Sequence, residues 1–494
     1  MEIRIHPHEV QLAVAALGAL VGLVALRRTG RGVDAAMGVL AGIGALGFFV
    51  FSASPQQFVK TWDVQHAWLG AKYARELGYF RIYQCILALD AAGPGSFRDV
   101  AAASDLREPM AQISRLELLR TSDCERRFAP ARRSTFLAEL AFFQRMADRP
   151  DHALWFADNG YNQTPFFTAL VAPLFEHLPL RYATLLGLAL LDPLLIAVTF
   201  VAVLRSFGAR AGLVAAAFFF TEVPNQWNVM GGAILRFGYV CLAMLGACAF
   251  AQGRARLAGA AFGVSTLLQV FPAALPAALV GWALLRRLRG EPWPAWLPGL
   301  QGAFAATVAA GLVASAALVG PGAWQEFFAK IALHGQILSL YRIGFKCLLV
   351  LDHFLAPAPD YDYAAAVASL SARAPLALAG AALLGVGALS LFPRVPAWTC
   401  ASTALAVALY LVTPVHYYFA SLVLLLLAGP EQARRPAYAL TWTALFAWSA
   451  AGYGALLATD SRAFANGAIL SPGLFAVLAL HCVAWRSART SAAA

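Results

Sequence analysis

The chain has 494 residues, of which 60% are hydrophobic and 13% are charged, and its formal net charge is +11. With a mean hydropathy of +0.65, this composition excludes an ordinary soluble globular protein and predicts an all-α polytopic membrane protein. The positive charge does not indicate nucleic-acid binding, because many of the arginines lie in short loops between apolar runs. We expect about 10–13 transmembrane helices, some of them short, tilted or re-entrant.

The N-terminal part of the chain predicts two transmembrane helices. Residues 10–26 form an apolar run without a small-residue cleavage signature, so we expect a retained helix rather than a removed signal peptide. Residues 34–53 form a second run that is long enough to cross a bilayer. Between them lie Arg27 and Arg28, which place their loop in the cytoplasm by the positive-inside rule. The long segment 54–160 is then an outer, extracytoplasmic loop.

The rest of the chain repeats this pattern of apolar runs and basic loops. The positive-inside rule places residues 321–344 and most of the other unusual polar segments on the outer side. Residues 163–179 fit this order as a short or re-entrant helix, and the sequence does not decide whether they span. The predicted parts are an extra N-terminal helix with a cytoplasmic loop at 1–33, a membrane core at 34–430 that includes loop 54–160, and transmembrane helices with a short cytoplasmic tail at 431–494.

The outer loop begins with a segment rich in Trp, Tyr and spaced charges, residues 61–85, which predicts an amphipathic helix in the headgroup layer. Asp63 and His66 lie three positions apart and would share one face of that helix. A carboxylate there can accept a proton from a hydroxyl group or bind a cation; the alternative is a solvated interfacial pair. Further along, residues 97–151 alternate acidic and basic side chains and predict a small helical cap.

Two polar segments predict contacts with a sugar or an acceptor. The first precedes an apolar helix with Pro165 near its start, where backbone N–H groups favour a negative charge. The alternative is ordinary capping by Asn162 or Thr164. The second is the polar island 221–239, whose amide side chains suit sugar hydroxyls. The candidate residues are Asp158, Tyr161, Asn162 and Gln163 in the first segment and Asn225, Gln226 and Asn228 in the second.

Basic residues further along the chain predict a phosphate site. Arg236 needs an anion if it is buried, and a lipid phosphate would serve; the alternative is an arginine that reaches the headgroup layer. Residues 324–346 carry four basic groups at roughly helical spacing on an outward-facing segment, which suits phosphate or pyrophosphate binding. These groups are Lys330, His334, Arg342 and Lys346. His416, at a predicted outer helix junction, is a further candidate for the acceptor site.

Familiar cofactor signatures are missing from the sequence. It has no Walker loop, no glycine fingerprint in a strand–helix context, no HExxH motif and no CxxC pair. ATP-driven transport and zinc proteolysis therefore lose support, no cofactor is expected, and the need for a divalent metal stays open. Of the seven cysteines, Cys85 and Cys124 fall in the outer loop, where an oxidising compartment could join them; the sequence does not decide whether they pair.

Four segments carry a pattern that is known from one class of membrane enzyme. They are DVQHAWLGAKYARELGYFRIY, GYNQTPFFTALVAPLF, STLLQVFPAALPAALVGWALLRRLR and VTPVHYYFASLVLLLL. Together they cover most of residues 34–430 and resemble the C-type fold of polyprenyl-phosphate-dependent membrane glycosyltransferases, most closely the family 87 mannosyltransferase-like proteins. Thr164 stands where that family usually has a second proline.

The resemblance implies a role for several of the candidate residues. Asp63 would be the general base that deprotonates the acceptor hydroxyl while the sugar is transferred with inversion and polyprenyl phosphate leaves. His66, which shares its face, is the second catalytic candidate. His334 and Arg342 would bind the lipid phosphate, with Arg236 and Lys346 as further donor-binding candidates. Donors of such enzymes are usually phosphate rather than diphosphate sugars, and several of the enzymes need no metal, so the resemblance leaves the need for a divalent metal open.

We therefore expect a membrane glycosyltransferase that moves a mannose-like hexose or a pentose from a polyprenyl-phosphate donor to a glycan, lipid or protein acceptor. The Ala-, Arg- and Leu-rich composition favours a bacterial inner membrane, with the active site on the periplasmic face. One alternative is a secondary transporter or flippase of a lipid-linked sugar, in which Asp63, Arg236 and His334 couple proton or substrate movement. A membrane O-acyltransferase has less support, because His334 lies in a basic segment. The sugar, the acceptor, the carrier length and the oligomeric state stay open.

Overall fold

The computed structural model describes residues 6–28, 30–51, 58–146, 155–355 and 362–487. It is 76% helical with almost no sheet, in agreement with the predicted all-α class. In the described part, five helices are long and apolar enough to cross a membrane, or six if one pair bent by 70° counts as a single span, and five shorter apolar helices accompany them. These helices indicate a multi-pass membrane protein, while the count of about 10–13 spans stays a prediction.

The helices follow one another along the chain with short connections. The first eight are α1 (Pro7–Ala25), α2 (Arg31–Leu46), α3 (Thr61–Lys72), α4 (Ala74–Leu77), α5 (Ile82–Ala91), α6 (Arg115–Thr121), α7 (Cys124–Arg127) and α8 (Pro130–Met146). The next eight are α9 (Pro165–His177), α10 (Tyr182–Ala189), α11 (Leu191–Thr221), α12 (Trp227–Met230), α13 (Gly238–Ala251), α14 (Ala255–Leu268), α15 (Ala274–Arg287) and α16 (Trp296–Val319). The last eight are α17 (Ala323–Gln336), α18 (Phe345–Leu349), α19 (Tyr363–Ala372), α20 (Ala374–Leu389), α21 (Ala397–Val412), α22 (Pro436–Thr459), α23 (Arg462–Phe464) and α24 (Ser471–Ser487).

A few shorter elements complete the described part of the chain. Two strands, β1 (Ala102–Ser104) and β2 (Gln112–Ser114), pair antiparallel, with Ala103 opposite Ile113. The π-helical turns lie at Gly47–Phe51 and Ala465–Leu470, and the 3-10 segments lie at Phe271–Ala273, Leu351–Phe354, His416–Leu426 and Gln432–Arg434.

Small residues bring the two ends of the chain together. Gly18 and Gly22 of α1 face α22, where an added Cβ would lie 2.3 Å from side-chain atoms of Phe446 or Thr443. Trp442 Nε1 of α22 donates a hydrogen bond to the carbonyl of Gly18 at 2.9 Å. In lipid, close contact between small residues is a main source of helix association, because burial of apolar surface adds little there. The N-terminal helix is thereby packed onto the C-terminal part of the membrane domain.

The segment 61–85 is buried in the protein, so the predicted interfacial amphipathic helix is wrong. The segment breaks into three helices, at Tyr73 and at Gly78, whose φ of +54° suits glycine. Leu69, Tyr73 and Leu77 are fully buried, whereas a helix in the headgroup layer would expose one edge to lipid. They pack against the cap and the neighbouring helices instead of the headgroup layer.

The cap after α5 is built from short helices, as its charge pattern predicts, and from the β1–β2 hairpin, which that pattern did not indicate. The hairpin escaped notice because each of its strands is three residues long and shows no sustained alternation. A disulfide joins Cys85 in α5 to Cys124 in α7, so the pairing that the sequence left open is present. This disulfide links the cap covalently to α5, which is buried.

A buried carboxylate holds the cap against α3. Glu139 of α8 accepts hydrogen bonds from Lys72 Nζ at 2.5 Å and from Trp68 Nε1 and the Tyr73 hydroxyl, both at 3.1 Å. The side chains of Lys72 and Glu139 are 6% and 10% exposed. A charge pair at this depth is strongly favourable only while both partners are present.

Replacing Glu139 with alanine should therefore destabilise the protein by about 3–5 kcal/mol, because Lys72 is left as a buried charge without a partner. The thermal unfolding midpoint of the purified protein in detergent measures the loss. Glu117→Ala is the matched control, since Glu117 forms an exposed pair with Arg120 and its removal should cost less than about 1 kcal/mol. Equal midpoints for the two variants would show that the buried pair does not hold the cap.

Candidate active site

Asp63 lies in the first turn of α3 between two cations. Its Oδ2 is 2.8 Å from Lys60 Nζ, and its Oδ1 is 3.3 Å from a terminal guanidinium nitrogen of Arg236. Burial raises the pKa of the Asp63 carboxyl, but the charges of Arg236 and Lys60 outweigh this effect and bring that pKa from 3.8 to about 2. The carboxylate is therefore ionised at neutral pH and 19% exposed.

The loop after α12 holds Arg236 in position through its backbone. The N–H groups of Arg236 and Phe237 donate hydrogen bonds to the carboxylate of Asp192 at 3.1 and 3.2 Å. The Arg236 guanidinium lies over the ring of Tyr417, 5.1 Å from its centroid, and its Nε has no hydrogen-bond partner in the described part of the chain. Arg236 thus points at Asp63, 173 positions away in sequence, and not out to the headgroup layer as the alternative interpretation had it.

A close backbone approach brings this loop to the start of α3. Gly232, with a φ of +71°, lies so near the chain before α3 that an added Cβ would be 2.0 Å from the carbonyl oxygen of Phe58. The N–H of Lys60 donates to the carbonyl of Gly232 at 2.8 Å, and Lys60 Nζ donates to the carbonyl of Val229 at 2.6 Å. Only glycine fits such a position, so the Gly-Gly pair in the polar island places Arg236 beside Asp63.

His66 lies on the same helix as Asp63 but contacts a different carboxylate. Its Nε2 is 3.7 Å from Asp158 Oδ1 and 3.4 Å from the Tyr83 hydroxyl, and its Nδ1 is 3.1 Å from the carbonyl of Trp62. Asp158 also accepts hydrogen bonds from Trp62 Nε1 at 2.9 Å and from the Tyr83 hydroxyl. The structure therefore joins Asp158, predicted to contact the sugar, to the predicted catalytic histidine.

The residues after Asp158 mainly shape the start of α9. Thr164 caps this helix by accepting a hydrogen bond from the N–H of Phe167 at 3.1 Å, so Thr164 rather than Asn162 is the cap.

The other candidates of this segment have separate contacts. Tyr161 is buried, and its hydroxyl lies 2.7 Å from the hydroxyl of Thr168. Gln163 accepts, through its carbonyl, a hydrogen bond from the Tyr79 hydroxyl at 2.8 Å, and the half-buried Asn162 has an unpartnered Oδ1. α9 itself has 13 residues, about 20 Å, which is short for a bilayer.

The amides of the polar island do not form one sugar site. Asn225 is buried and donates from Nδ2 to the carbonyl of Phe219 at 2.6 Å, which closes the turn after α11. Gln226 is buried near Tyr453, whereas Asn228 is exposed. Asn225 and Gln226 are thus buried while Asn228 is exposed, so the structure does not bring the three side chains to one surface. Their binding to a sugar stays a prediction.

The spacing of the four basic groups in residues 324–346 predicted a shared helix, but the structure distributes them over two helices and a loop. Helix α17 ends at Gln336, which leaves Arg342 in a loop and Lys346 in α18. The loop nevertheless returns: the Arg342 guanidinium donates to the carbonyls of His334 and Thr413 at 2.6 and 2.8 Å. Lys346 Nζ donates to the carbonyl of Gly335 at 2.7 Å. Hydrogen bonds to backbone carbonyls, and not a shared helix face, bring these cations close together.

Buried positive charge in this region lacks a carboxylate partner. In the described ranges, no carboxylate oxygen lies within 4.0 Å of Lys330, Arg342 or Lys346, and Lys330 and Arg342 are 1% and 4% exposed. Lys330 Nζ donates to the carbonyl of Tyr79 at 3.1 Å. Burial lowers the pKa of Lys330 to about 7. A buried cation without a counterion is costly, so Lys330 is only partly charged near neutral pH, whereas Arg342 keeps its charge. This region is therefore suited to bind an anion.

His334 differs from its neighbours because it is uncharged near neutral pH. Burial, together with the charges of Lys330 and Arg342, lowers its pKa to about 3. Its Nε2 and the Nε of Arg342 have no hydrogen-bond partner among the described residues. His334 can therefore contribute a hydrogen bond to a bound phosphate, but not a positive charge.

Tyr417 and Tyr418 lie near both Arg236 and Arg342, since each arginine interacts electrostatically with this pair. His416, which precedes them, is buried, and its Nδ1 lies 2.9 Å from the carbonyl of Tyr341. His416 thus lies beside the segment that carries Arg342. Its Nε2 has no hydrogen-bond partner among the described residues, and its role in acceptor binding stays a prediction.

Sequence reasoning missed several residues of this site. Lys60 precedes Asp63 by three positions, a spacing that typically pairs charges and was available in the sequence. Asp192 and Tyr83 reach the site only because the fold brings together segments that are distant in sequence, so no local pattern identified them. No group of three or more His, Cys, Asp or Glu residues that could hold a metal ion occurs in the described ranges.

Comparisons of the chain with protein-family models, with curated proteins and with solved structures find no match. The family resemblance therefore stays an expectation, and the function is inferred from the contacts of Asp63 and Arg236 and from the buried basic groups Lys330 and Arg342.

The pKa of Asp63 predicts how the site contributes to stability as the pH changes. Because this pKa is lower in the folded protein, at about 2, than its ordinary value of 3.8, the ion pairs stabilise the fold fully above pH 3.8 and lose their effect as the pH falls through about 2. The unfolding midpoints of wild type and Asp63→Asn, followed by tryptophan fluorescence in detergent, should differ at pH 6 and converge towards pH 2.5. A constant difference over that range would contradict the ion-paired state of Asp63.

Proposed function

We propose that this protein is an integral membrane glycosyltransferase of the C-type fold that transfers a sugar from a polyprenyl-phosphate donor to an acceptor on the extracytoplasmic face of a bacterial inner membrane. One observation carries the proposal: an ionised carboxylate, Asp63, lies beside Arg236, while the buried Lys330 and Arg342 have no carboxylate oxygen within 4.0 Å among the described residues. A reaction that deprotonates a hydroxyl and releases a phosphate needs both kinds of group.

In the proposed reaction the acceptor hydroxyl attacks the anomeric carbon of the donor sugar while Asp63 takes its proton. The bond from the acceptor oxygen to that carbon forms as the bond from the carbon to the phosphate oxygen breaks, with inversion. The electron pair of the broken bond stays on polyprenyl phosphate. Arg236 and Arg342 stabilise the charge that develops there, so no strong general acid is needed.

Donor binding would also make Asp63 a better base. A carboxylate held between Lys60 and Arg236 has a pKa of about 2, too low for efficient proton transfer at neutral pH. A phosphate that binds Arg236 adds negative charge next to Asp63 and competes for its cation. Both effects raise the pKa of Asp63. The same groups would thus bind the donor and prepare the base.

Replacing Asp63 with asparagine should lower turnover at least about 100-fold, because the variant keeps the shape of the side chain but cannot accept a proton. The assay is release of polyprenyl phosphate from radiolabelled polyprenyl-phosphate sugars, tested one by one with membrane extracts as the acceptor source. Donor binding should be nearly intact. Asp352→Asn, which removes an exposed carboxylate paired with Arg373, is the matched control. Full activity of Asp63→Asn would remove Asp63 from the role of base.

Replacing Arg342 with alanine should weaken the apparent donor affinity about tenfold or more, because a charged hydrogen-bond donor to the phosphate is lost. Arg342→Lys, which keeps the positive charge, should retain part of the affinity and controls for the structural bonds to His334 and Thr413. The exposed Arg394→Ala variant should bind donor normally. Normal affinity in Arg342→Ala would exclude this residue from the phosphate site.

A transporter or flippase of a lipid-linked sugar is the second candidate function, and one observation favours it. Glu222, directly after α11, is fully buried, and neither of its carboxyl oxygens has a hydrogen-bond partner among the described residues. Unpaired carboxyls at membrane depth are typical of proton-coupled transporters. If vesicles containing the protein move the labelled sugar across the membrane without releasing polyprenyl phosphate, the transporter would replace the enzyme.

A further inference from the structure

A polar cavity lies beside the helical cap, away from Asp63. It has a volume of about 200 Å³ and opens between α4, α7, α9 and the start of α17. This volume is below the range of about 300–1,000 Å³ that is typical of pockets for drug-sized ligands, so it suits a single sugar unit. The side chains that matter here are Arg75, Tyr79, Arg81, Arg127, Tyr161 and Glu326.

The lining carries more positive than negative charge. Arg75 donates to the carbonyl of Leu318 at 2.9 Å and has no carboxylate within 4.0 Å in the described ranges. Arg81 and Arg127 both approach Asp123, at 4.0 and 2.7 Å, and so share one negative charge. Glu326 is engaged by the N–H of Tyr79 at 3.1 Å. An anionic group in the cavity would therefore meet arginines that are not fully neutralised.

The backbone and the aromatic side chains give the cavity its shape. The rings of Tyr79 and Tyr161 stack with centroids 5.7 Å apart and line one side. At Gly78 an added Cβ would lie 2.6 Å from Glu326 Oε2, so glycine is required to keep this contact. Helix α17 begins at the cavity, and its N-cap, Gly322, makes no side-chain capping bond. The positive end of the helix dipole adds to the charge of the arginines.

We infer that this cavity is a distal acceptor subsite that binds an anionic saccharide unit, such as a sugar acid. Only the identification of the bound saccharide as part of an acceptor rests on the proposed glycosyl transfer. Helix α3 has 12 residues, about 18 Å, and separates Asp63 near its start from Arg75 just beyond its end. A sugar in the cavity is too far from Asp63 to react, so it belongs to a remote part of a longer acceptor, whose binding there positions the reacting hydroxyl.

The test measures the binding of glucuronic acid to the purified protein in detergent by saturation-transfer NMR, with glucose as the neutral probe and inorganic phosphate as the simple anion. Glucuronic acid should bind at least about tenfold more tightly than glucose, since a charged hydrogen bond to arginine distinguishes the two. Arg75→Gln and Arg127→Gln should each lose about tenfold in affinity. Arg120→Gln, which removes an exposed arginine of the same cap outside the cavity, should bind like wild type.

Several results would overturn the saccharide site. These are no binding of glucuronic acid to wild type, binding that the two variants leave unchanged, or phosphate binding as tight as that of glucuronic acid, which would indicate a site for a phosphate or a lipid headgroup. Arg75→Lys keeps the charge and should retain binding if Arg75→Gln fails to fold. The readout is independent of donor turnover: if no donor releases polyprenyl phosphate but Arg75-dependent binding is seen, the glycosyltransferase proposal fails while the saccharide site stands.

Discussion

The contact between Asp63 and Arg236 is the constraint on which the rest of the site depends. It joins the start of α3 to the loop before α13, and each partner needs support from elsewhere. Lys60 shares the carboxylate, Asp192 accepts the backbone N–H of Arg236, and Gly232 lets the two chain segments touch. Partly buried charges are stable only when they are paired. Loss of Asp63 would leave Arg236 without its carboxylate, whereas loss of Arg236 would leave Asp63 paired with Lys60 alone. The ion pair therefore fixes both the geometry and the charge of the site.

Next to this balanced pair lies a region in which the charges are not balanced. Lys330 and Arg342 are more deeply buried than Arg236, yet their hydrogen bonds go to backbone carbonyls. Carbonyl oxygens carry only partial negative charge, and they compensate a cation less than a carboxylate does. Such an arrangement of buried cations contributes little to the stability of the folded protein. An anionic ligand that binds and leaves would explain why the buried Arg342 has no carboxylate oxygen within 4.0 Å in the described part of the chain.

Composition and the basic loops were sufficient to predict an all-α membrane class, because transfer into lipid depends on average hydrophobicity over about 20 residues. Asp63, Arg236 and Arg342 could be selected singly, since charges beside apolar runs are costly unless used. The contacts among these residues could not be predicted, because a left-handed backbone at Gly232 and Leu235 determines where Arg236 points. Periodicity failed at residues 324–346 for a related reason: the helix ends at Gln336, and a loop returns Arg342 to it. Local patterns predict elements, whereas the site is made by the turns between them.

The strength of the Asp63 ion pairs has a consequence for the order of events in the proposed reaction. While Arg236 and Lys60 both hold the carboxylate, it attracts a proton weakly, and an acceptor bound alone would not be deprotonated. A phosphate near Arg236 changes this, since opposite charges a few ångströms apart interact by about 4 kcal/mol near a protein surface and the guanidinium cannot serve both anions fully. The donor would therefore have to bind before the acceptor can be activated. Such an order keeps a bound acceptor hydroxyl protonated until a donor is present, because the base becomes effective only in the presence of the group that is to leave.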